Sequence, residues 1–297
     1  KAQNPERIIS AIMQRHRLPE VIARCLVGRD VDLDDIDLFL SPKMKDSMPE
    51  PNCLKGMQEA VDTSVQKIIE GGSIGLFADY DVDGASSAAL LMRFFKMLKV
   101  ETILYIPDRI EEGYGPNNVG FSKLKAAGAK LIFTLDCGIL AFDVLKKASN
   151  DGCEVIVIDH HLSELKLPNV HSIINPNRFD CTYPFKGLCG ASVAFKLALA
   201  ICEKGGFDPE LVWEHSDIVT LGIAADLVPI KDENRVIVHH GIEQMKKETN
   251  LGITALLKTG GLIDKTITVG RLVFWLAPKI NAAGRLGDAS RAVKLLT

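Results

Sequence analysis

The stretch FADYDVDGASSAAL (residues 77–90) sets three aspartates, Asp79, Asp81 and Asp83, at alternate positions and follows them with Gly84. Three like charges on one short turn repel one another, so the turn is either fully solvated or faces something positive. Two further acids stand where apolar runs end. Asp136 follows Leu131–Leu135, and Asp159 follows Glu154–Ile158 and is succeeded at once by His160 and His161. Each piece alone has an ordinary explanation. Aspartate after a strand is a common turn former, and a His-His pair is more often solvated or satisfied in a core. The second such pair, His239-His240, lies inside a helical pattern and is read that way. Brought together, carboxylates and imidazoles suit hard or borderline divalent ions such as manganese, magnesium or zinc. Without such ions, five clustered acids would cost several kcal/mol in repulsion and desolvation. The alternate spacing is expected to turn Asp81 and Asp83 to the same side. Gly84 is expected to give backbone freedom, and the helix start after it to offer donors to a phosphate. No serine or cysteine nucleophile is required; Cys137, beside Asp136, has no adjacent base and reads as a small neighbour in the turn.

These residues meet only if the chain between them alternates strand and helix, and from Leu54 it does so. The pattern predicts helix Gly56–Glu70, strand Ser73–Ala78, helix Ala85–Leu98, strand Thr102–Pro107, helix Asn117–Ala127, strand Leu131–Leu135, helix Ala141–Asn150 and strand Glu154–Ile158. Short apolar strands separated by amphipathic helices indicate an α/β fold with a doubly wound, mostly parallel sheet. After Gly187 the pattern is mainly helical, leading toward a second domain expected to be truncated, since the chain stops inside the amphipathic string SRAVKLLT. The expected division is an N-terminal extension packing on the core (1–53), a catalytic domain (54–230) and a helical connector (231–297). In open α/β sheets, ligands bind beyond the carboxyl ends of the strands. Those ends deliver the acids and histidines named above, and Asp108 with Arg109 after Pro107.

The bulk numbers set limits. The chain has 297 residues, 47% hydrophobic and 25% charged, which is ordinary globular composition. No apolar run reaches the ~18 residues of a membrane span, and residues 1–15 carry charges throughout, unlike a signal peptide. Seven cysteines, an odd count without a C-x-x-C pair, argue against a disulfide framework or a zinc ribbon and read as reduced thiols of a cytoplasmic protein. A net charge of -3 gives no overall attraction for nucleic acid, so a polyanion must be held by local positive charge, bound metal included.

The strings DYDVDG (79–84), LDCG around Asp136, DHH (159–161) and DIVTLGIAADLVP (217–229) resemble, in order and spacing, the four motifs of DHH-family phosphoesterases. PDRIEEGYG (107–115), IINPNR (173–178), GLCGASVAFKLA (187–198) and LAPKINAAGRLGD (276–288) resemble the RecJ branch, single-strand-specific 5′→3′ exonucleases. The resemblance covers roughly Leu54 to the end. It implies that Asp81 and Asp83 bind metal, that Asp136 bridges two ions, that His160 ligates, and that Asp226 completes the ligand set. His161 is then expected to contact the scissile phosphate or its water. Asp159 and Asp217 are expected to support the ligands from behind. Phe77 stands where many smaller family members carry histidine, and Asp79 is the expected substitute.

Arg109 and Arg285 resemble the arginines that bind a 5′-terminal phosphate, for which the guanidinium fork is suited; the plain alternative is a pair of salt-bridged surface arginines. The implied cofactor is two divalent cations about 3.5–4 Å apart, manganese first and magnesium as the alternative, which lower the pKa of a water and neutralise phosphoryl charge during in-line attack. The implied function is cleavage of single-stranded DNA with a 5′ phosphate, in repair and recombination, without a membrane; a single-strand-binding protein or helicase is a partner that the residues do not reveal. Two other readings stand beside it. One is a small-molecule DHH phosphatase acting on pyrophosphate, cyclic dinucleotides or short RNA, although the Gly-Gly-Gly-His string of those relatives is absent from these residues. The other is a non-catalytic replication scaffold, against which every expected acid and both histidines stand.

Overall fold

Runs such as SIGLFA and VIVI contain no charged residue, which lets both of their faces be covered and suits a parallel sheet. In the computed structural model, which describes residues 5–285 and 288–297, both are strands. The chain divides into two compact units, Lys1–Met48 and Pro49–Thr297. The first holds helices α1 (Pro5–His16), α2 (Glu20–Val27), α3 (Ile36–Leu40) and α4 (Met44–Ser47), with Ile9, Ile12, Ala23, Leu26 and Ile36 as its core. The second opens with a 3-10 turn (Pro51–Cys53), followed by α5 (Met57–Ile69), β1 (Ser73–Ala78), α6 (Val82–Met97) and β2 (Thr102–Tyr105). It continues through α7 (Asn118–Ala126), β3 (Ala129–Leu135), α8 (Phe142–Asn150), β4 (Val155–Ile158) and β5 (Ser172–Ile174). Then come α9 (Gly190–Gly205), α10 (Glu210–Trp213), α11 (Ser216–Ala225), α12 (Asp232–Lys246), α13 (Leu251–Thr259) and α14 (Val269–Arg271). A π-helical turn (Leu272–Leu276), α15 (Ala277–Arg285) and α16 (Ser290–Leu296) close it.

The five strands are all parallel, in the order β2-β1-β3-β4-β5. The winding reverses at β1, so the crevice that such sheets use for ligands lies beyond the ends of β1 and β3. On one face Phe77, Ile132, Val155 and Val157 pack beneath α7 and α8 through Phe121, Leu124, Leu145 and Ala148. On the other, Phe133 stacks on Phe95 of α6 with ring centroids 6.0 Å apart, and α9 and α11 pack against α6.

Four local expectations change. Helix α6 begins at Val82 rather than Ala85, because the Asp81 carboxylate caps it by accepting from the N–H groups of Asp83 (2.9 Å) and Gly84 (3.1 Å). Those two donors are thereby used and are not left for a phosphate. Gly84 has no left-handed backbone; it is small because a Cβ there would lie 2.5 Å from the Asp79 carbonyl oxygen. Strand β2 stops at Tyr105: Pro107 has no N–H to extend a ladder, and Glu112 instead accepts from the Asp108 N–H (2.7 Å) and the Tyr105 hydroxyl (2.5 Å). Strand β5 was not expected, three residues being too short to display a period.

A buried ion pair ties α9 to α12. Lys196 Nζ lies 2.6 Å from Glu233 Oε2, both side chains fully buried, while the Tyr183 hydroxyl donates to Glu233 (2.7 Å) and Lys196 also donates to the Pro49 carbonyl (2.9 Å). Removing one partner strands the other charge, at a cost of about 3–5 kcal/mol. Lys196→Met is therefore expected to lower unfolding stability in urea by about that amount. Adding Glu233→Gln, which still accepts from Tyr183, should recover part of the loss. Unchanged stability in the single variant would show that the pair carries no such role.

Candidate metal centre

The strand register lines up four polar residues. Ala78 pairs with Leu135, Leu135 with Ile158 and Ile158 with Ile174, so Asp79, Asp136, Asp159 and Asn175 leave the sheet side by side. The N–H groups of Asp79, Asp136 and Asp159 donate to the carbonyls of Leu135, Ile158 and Ile174 at 3.1, 2.9 and 3.1 Å, which fixes where each side chain starts. Asp136 has φ +60°, a left-handed conformation that aspartate tolerates better than most residues.

Helix ends supply the remaining groups. Asp83, in the first turn of α6, accepts from the N–H groups of Gly190 (2.5 Å) and Ala191 (2.9 Å) at the start of α9. Two glycines make room for it. A Cβ at Gly190 would lie 2.9 Å from Asp83 Oδ2, and one at Gly222 would lie 2.6 Å from Asp83 Oδ1. Gly222 belongs to α11, whose end delivers Asp226. His160 Nε2 lies 3.1 Å from Asp136 Oδ1, 3.7 Å from Asp226 Oδ2 and 3.8 Å from Asp83 Oδ2. The closest of these contacts lacks hydrogen-bond alignment: His160 Nε2 and Asp136 Oδ1 are both buried without a partner, as is Asp79 Oδ1.

Ligand atoms gather in compact sets: Asp83, His160 and Asp226; Asp79, Asp81 and Asp136; and, overlapping both, Asp136, His160 and His161. Asp81 and Asp83 thus serve different sets rather than one side, because the helix cap turns the chain between them. Phe77 is fully buried against Tyr105 and Phe121 and offers no ligand, while Asp79 takes a place in the second set.

Burial and mutual repulsion push these carboxyls up. Asp79 is raised to about 7, by burial and then by Asp81. Asp226 is raised to about 6, by burial and then by Asp83. Asp83 and Asp136 move the same way, burial again leading. Asp159 behaves oppositely. Burial would raise it, but His161 Nδ1 (2.7 Å) and the N–H groups of Ile139, His160 and His161 hydrogen-bond it and hold it below its ordinary value. That hydrogen bond, against the opposing effect of burial, raises the His161 imidazole and commits its Nδ1. Orphaned buried oxygens and an orphaned imidazole nitrogen, all converging, form an oxygen-and-nitrogen donor set that fits hard or borderline divalent cations. Cys137 is buried and its thiol is pushed far up by burial, in keeping with a packing role.

Other expected residues are placed as follows. Asp217 lies at the opposite end of α11, nine residues from Asp226 and so about 13.5 Å along the axis. It is buried, pushed up to about 6 by burial, with Arg93 opposing, and stands apart from the ligand cluster. Arg109 and Arg285 are both exposed, and among the described residues neither makes an ion pair. The Arg109 guanidinium sits 5.0 Å from the Tyr80 ring centroid, and Gly284, beside Arg285, packs against the Tyr80 carbonyl. Tyr80 and Tyr114 were not foreseen. Their rings meet edge-on at 6.5 Å, Tyr114 meets His161 at 6.1 Å, and the Tyr114 hydroxyl donates to the Asp136 carbonyl (3.2 Å). Their only sequence signal is position, one between two acids and the other in EEGYG. The pair His239-His240 lies on α12, His239 exposed and His240 bonded to the Ser216 hydroxyl at 2.8 Å.

A cation must displace the protons that these carboxyls hold, so its binding strengthens as pH rises through about 6 and 7. In the metal-free fold, acids whose pKa exceeds the unfolded value cost stability as pH rises from about 4 through about 7. The gain in melting temperature from saturating manganese should therefore be larger at about pH 8 than at about pH 5.5, and Asp136→Asn should remove most of it. A gain independent of pH would mean that the carboxyls are not the ligands.

Residues 73–223 match the DHH family, N-terminal domain. Over 295 residues the chain is 41% identical to the single-stranded-DNA-specific exonuclease RecJ of Bacillus subtilis (strain 168), covering 98% of this chain and 36% of that protein. A crystal structure of exonuclease RecJ bound to manganese superposes with a TM-score of 0.75 at 33% identity, over 84% of this chain and 61% of that one. RecJ from Thermus thermophilus in complex with Mn2+ superposes with a TM-score of 0.81 at 27% identity, over 100% of this chain and 42% of that one. The chain spans between 35% and 45% of the length of the curated relatives it matches. No helix among the described residues is long and apolar enough to cross a membrane. The match runs from β1 into α11, the elements whose ends carry the clustered ligands, and by it the chain belongs to the DHH family of phosphoesterases.

Proposed function

We propose that this chain is the catalytic part of a divalent-cation-dependent phosphodiesterase that shortens single-stranded DNA from its 5′ end, in the service of repair and recombination. The observation that carries the reading is the pair of ligand sets, Asp79–Asp81–Asp136 and Asp83–His160–Asp226, where β1, β3, β4 and α11 end. Two divalent cations held there, manganese or magnesium, would supply a water of lowered pKa and offset the charge on the phosphoryl oxygens.

The chain's own groups do the rest. Asp159 takes Nδ1 of His161 and leaves Nε2 to meet the scissile phosphate. The hydrogen bond to Asp159 raises the His161 imidazole, and in the imidazolium form its Nε2–H could donate to a non-bridging oxygen. The run Tyr80–Tyr114–His161 offers aromatic surface beside the ligands, and stacking on such surface takes any base but requires an unpaired strand. Arg109, over the Tyr80 ring, and Arg285, which follows Gly284 at the Tyr80 carbonyl, suit a terminal phosphate. Relatives named single-stranded-DNA-specific exonucleases support DNA as the polymer.

Two outcomes test this. His161→Ala should cut turnover by orders of magnitude yet keep the manganese-induced rise in melting temperature; loss of both would make His161 a ligand. Strands bearing a 5′ phosphate should be cut faster than 5′-hydroxyl strands, and Arg109→Ala should erase most of that preference, a charge-assisted contact of roughly 1.5–3 kcal/mol or about 10- to 150-fold. Equal wild-type rates on the two strands would overturn the 5′-end reading and favour a small-molecule phosphatase, to be sought with pyrophosphate and cyclic dinucleotides.

A further inference from the structure

The dipeptide His160–His161 has two backbone N–H groups and two carbonyls. Both N–H groups donate to Asp159 Oδ1, at 2.7 and 3.1 Å. Both carbonyls are taken by side-chain amides: Asn177 Nδ2 donates to the His160 carbonyl (2.6 Å) and Asn175 Nδ2 to the His161 carbonyl (2.9 Å). The Asn177 N–H in turn donates to Asn175 Oδ1 (2.7 Å), so the two amides form one clamp. Asn175 is fully buried and is the fourth residue in the row that leaves the sheet, directly after β5. Every backbone polar group of the dipeptide is therefore committed, which is the condition for an immobile turn.

The clamp has particular weight at His160. A metal-ligating histidine ordinarily donates its second ring nitrogen to a carboxylate, a carbonyl or water, which fixes the ring. His161 has such a partner in Asp159. His160 has none among the described residues: its ring touches the His161 ring, with centroids 4.5 Å apart, and its Nε2 faces Asp136, Asp226 and Asp83. The aim of that nitrogen is then set by the peptide plane from which the side chain springs. The plane between His160 and His161 is held from one side by Asp159 and from the other by Asn177.

We infer that Asn177, braced by Asn175, is a positioning residue of the metal centre, fixing through the backbone the aim of the His160 ring. The inference rests on the metal-dependent reading above and assigns a task to the string IINPNR. Asn177 is only partly buried, so its replacement is tolerable to the fold.

The test is manganese binding by the full chain, measured by calorimetric titration, beside turnover on a 5′-phosphorylated strand as a function of manganese concentration. Asn177→Leu keeps the branched shape, the number of heavy atoms and the charge but removes the donor. It is expected to weaken manganese binding by about 10- to 100-fold, with metal-free urea stability nearly unchanged and turnover largely restored at saturating manganese. Asn177→Gln, which keeps an amide on a longer arm, should recover part of the affinity, and it serves as the second variant if the leucine proves unstable. Wild-type affinity in a folded Asn177→Leu chain overturns the inference. So does a fall in turnover that excess manganese does not relieve while binding is unchanged. A wild-type chain that binds no manganese overturns the metal-dependent reading itself, and the inference with it.

Discussion

Several carboxylates brought out of water at one sheet edge cannot all remain charged unless something positive answers them, and most of this site follows from how that demand is met. Asp159 is answered by the protein alone. Three backbone N–H groups and an imidazole hold it below its ordinary pKa although it is almost completely buried. Asp83 has two N–H groups from α9 and still sits above its ordinary value, because burial outweighs them. Asp79, Asp136 and Asp226 are raised as well, by burial first and then by neighbouring carboxylates. The division separates an acid whose charge the protein itself answers from acids whose charge it does not.

Meeting that demand requires element ends to converge. The parallel sheet brings the ends of β1, β3 and β4 to one edge, and α6, α9 and α11 bring their ends to the same place. Such convergence is possible only where side chains are absent. Gly84 lets α6 lie on the Asp79 carbonyl, while Gly190 and Gly222 let α9 and α11 close on Asp83. The same helices are locked further out. Lys196 and Glu233 pair α9 with α12, and Asn234 joins the Gly187 carbonyl (2.6 Å) to the Pro229 carbonyl (3.1 Å), tying the approach to α9 to the chain that leaves Asp226. Ligand placement and fold stability therefore share the same contacts, and disturbing one is felt by the other.

The sides of the site differ in character. The candidate ligands are buried or partly buried, whereas Tyr114 is 56% exposed and Arg109 and Arg285 are open to solvent. On the proposed reading, a polymer presenting one phosphate to this cluster would need surface for its neighbouring bases and charge for its end. Exposed aromatic rings and guanidinium groups would supply both without reading a sequence.

The alternation of apolar runs and amphipathic helices was enough to specify a parallel α/β sheet, and the acids and histidines at the strand ends announced a cation site, because strand periodicity and burial are local properties. Strand Ser73–Ala78 agrees with its expected limits to the residue. The grouping of the ligands was not legible. Asp81 and Asp83 look equivalent in DYDVDG, yet one caps a helix and the other is gripped by a helix that begins more than a hundred residues later. Asp217 and Asp226 share one motif but lie at opposite ends of α11. Tyr80, Gly190, Gly222 and Asn177 carry no chemistry by type alone and acquire a role only from what folds against them. Residue type and local spacing thus determined which groups this protein could use. The partners of each group were decided by the crossovers of the sheet, since hydrogen bonds, desolvation and charge repulsion depend on distances in space that the chain sets only once its strands are in register.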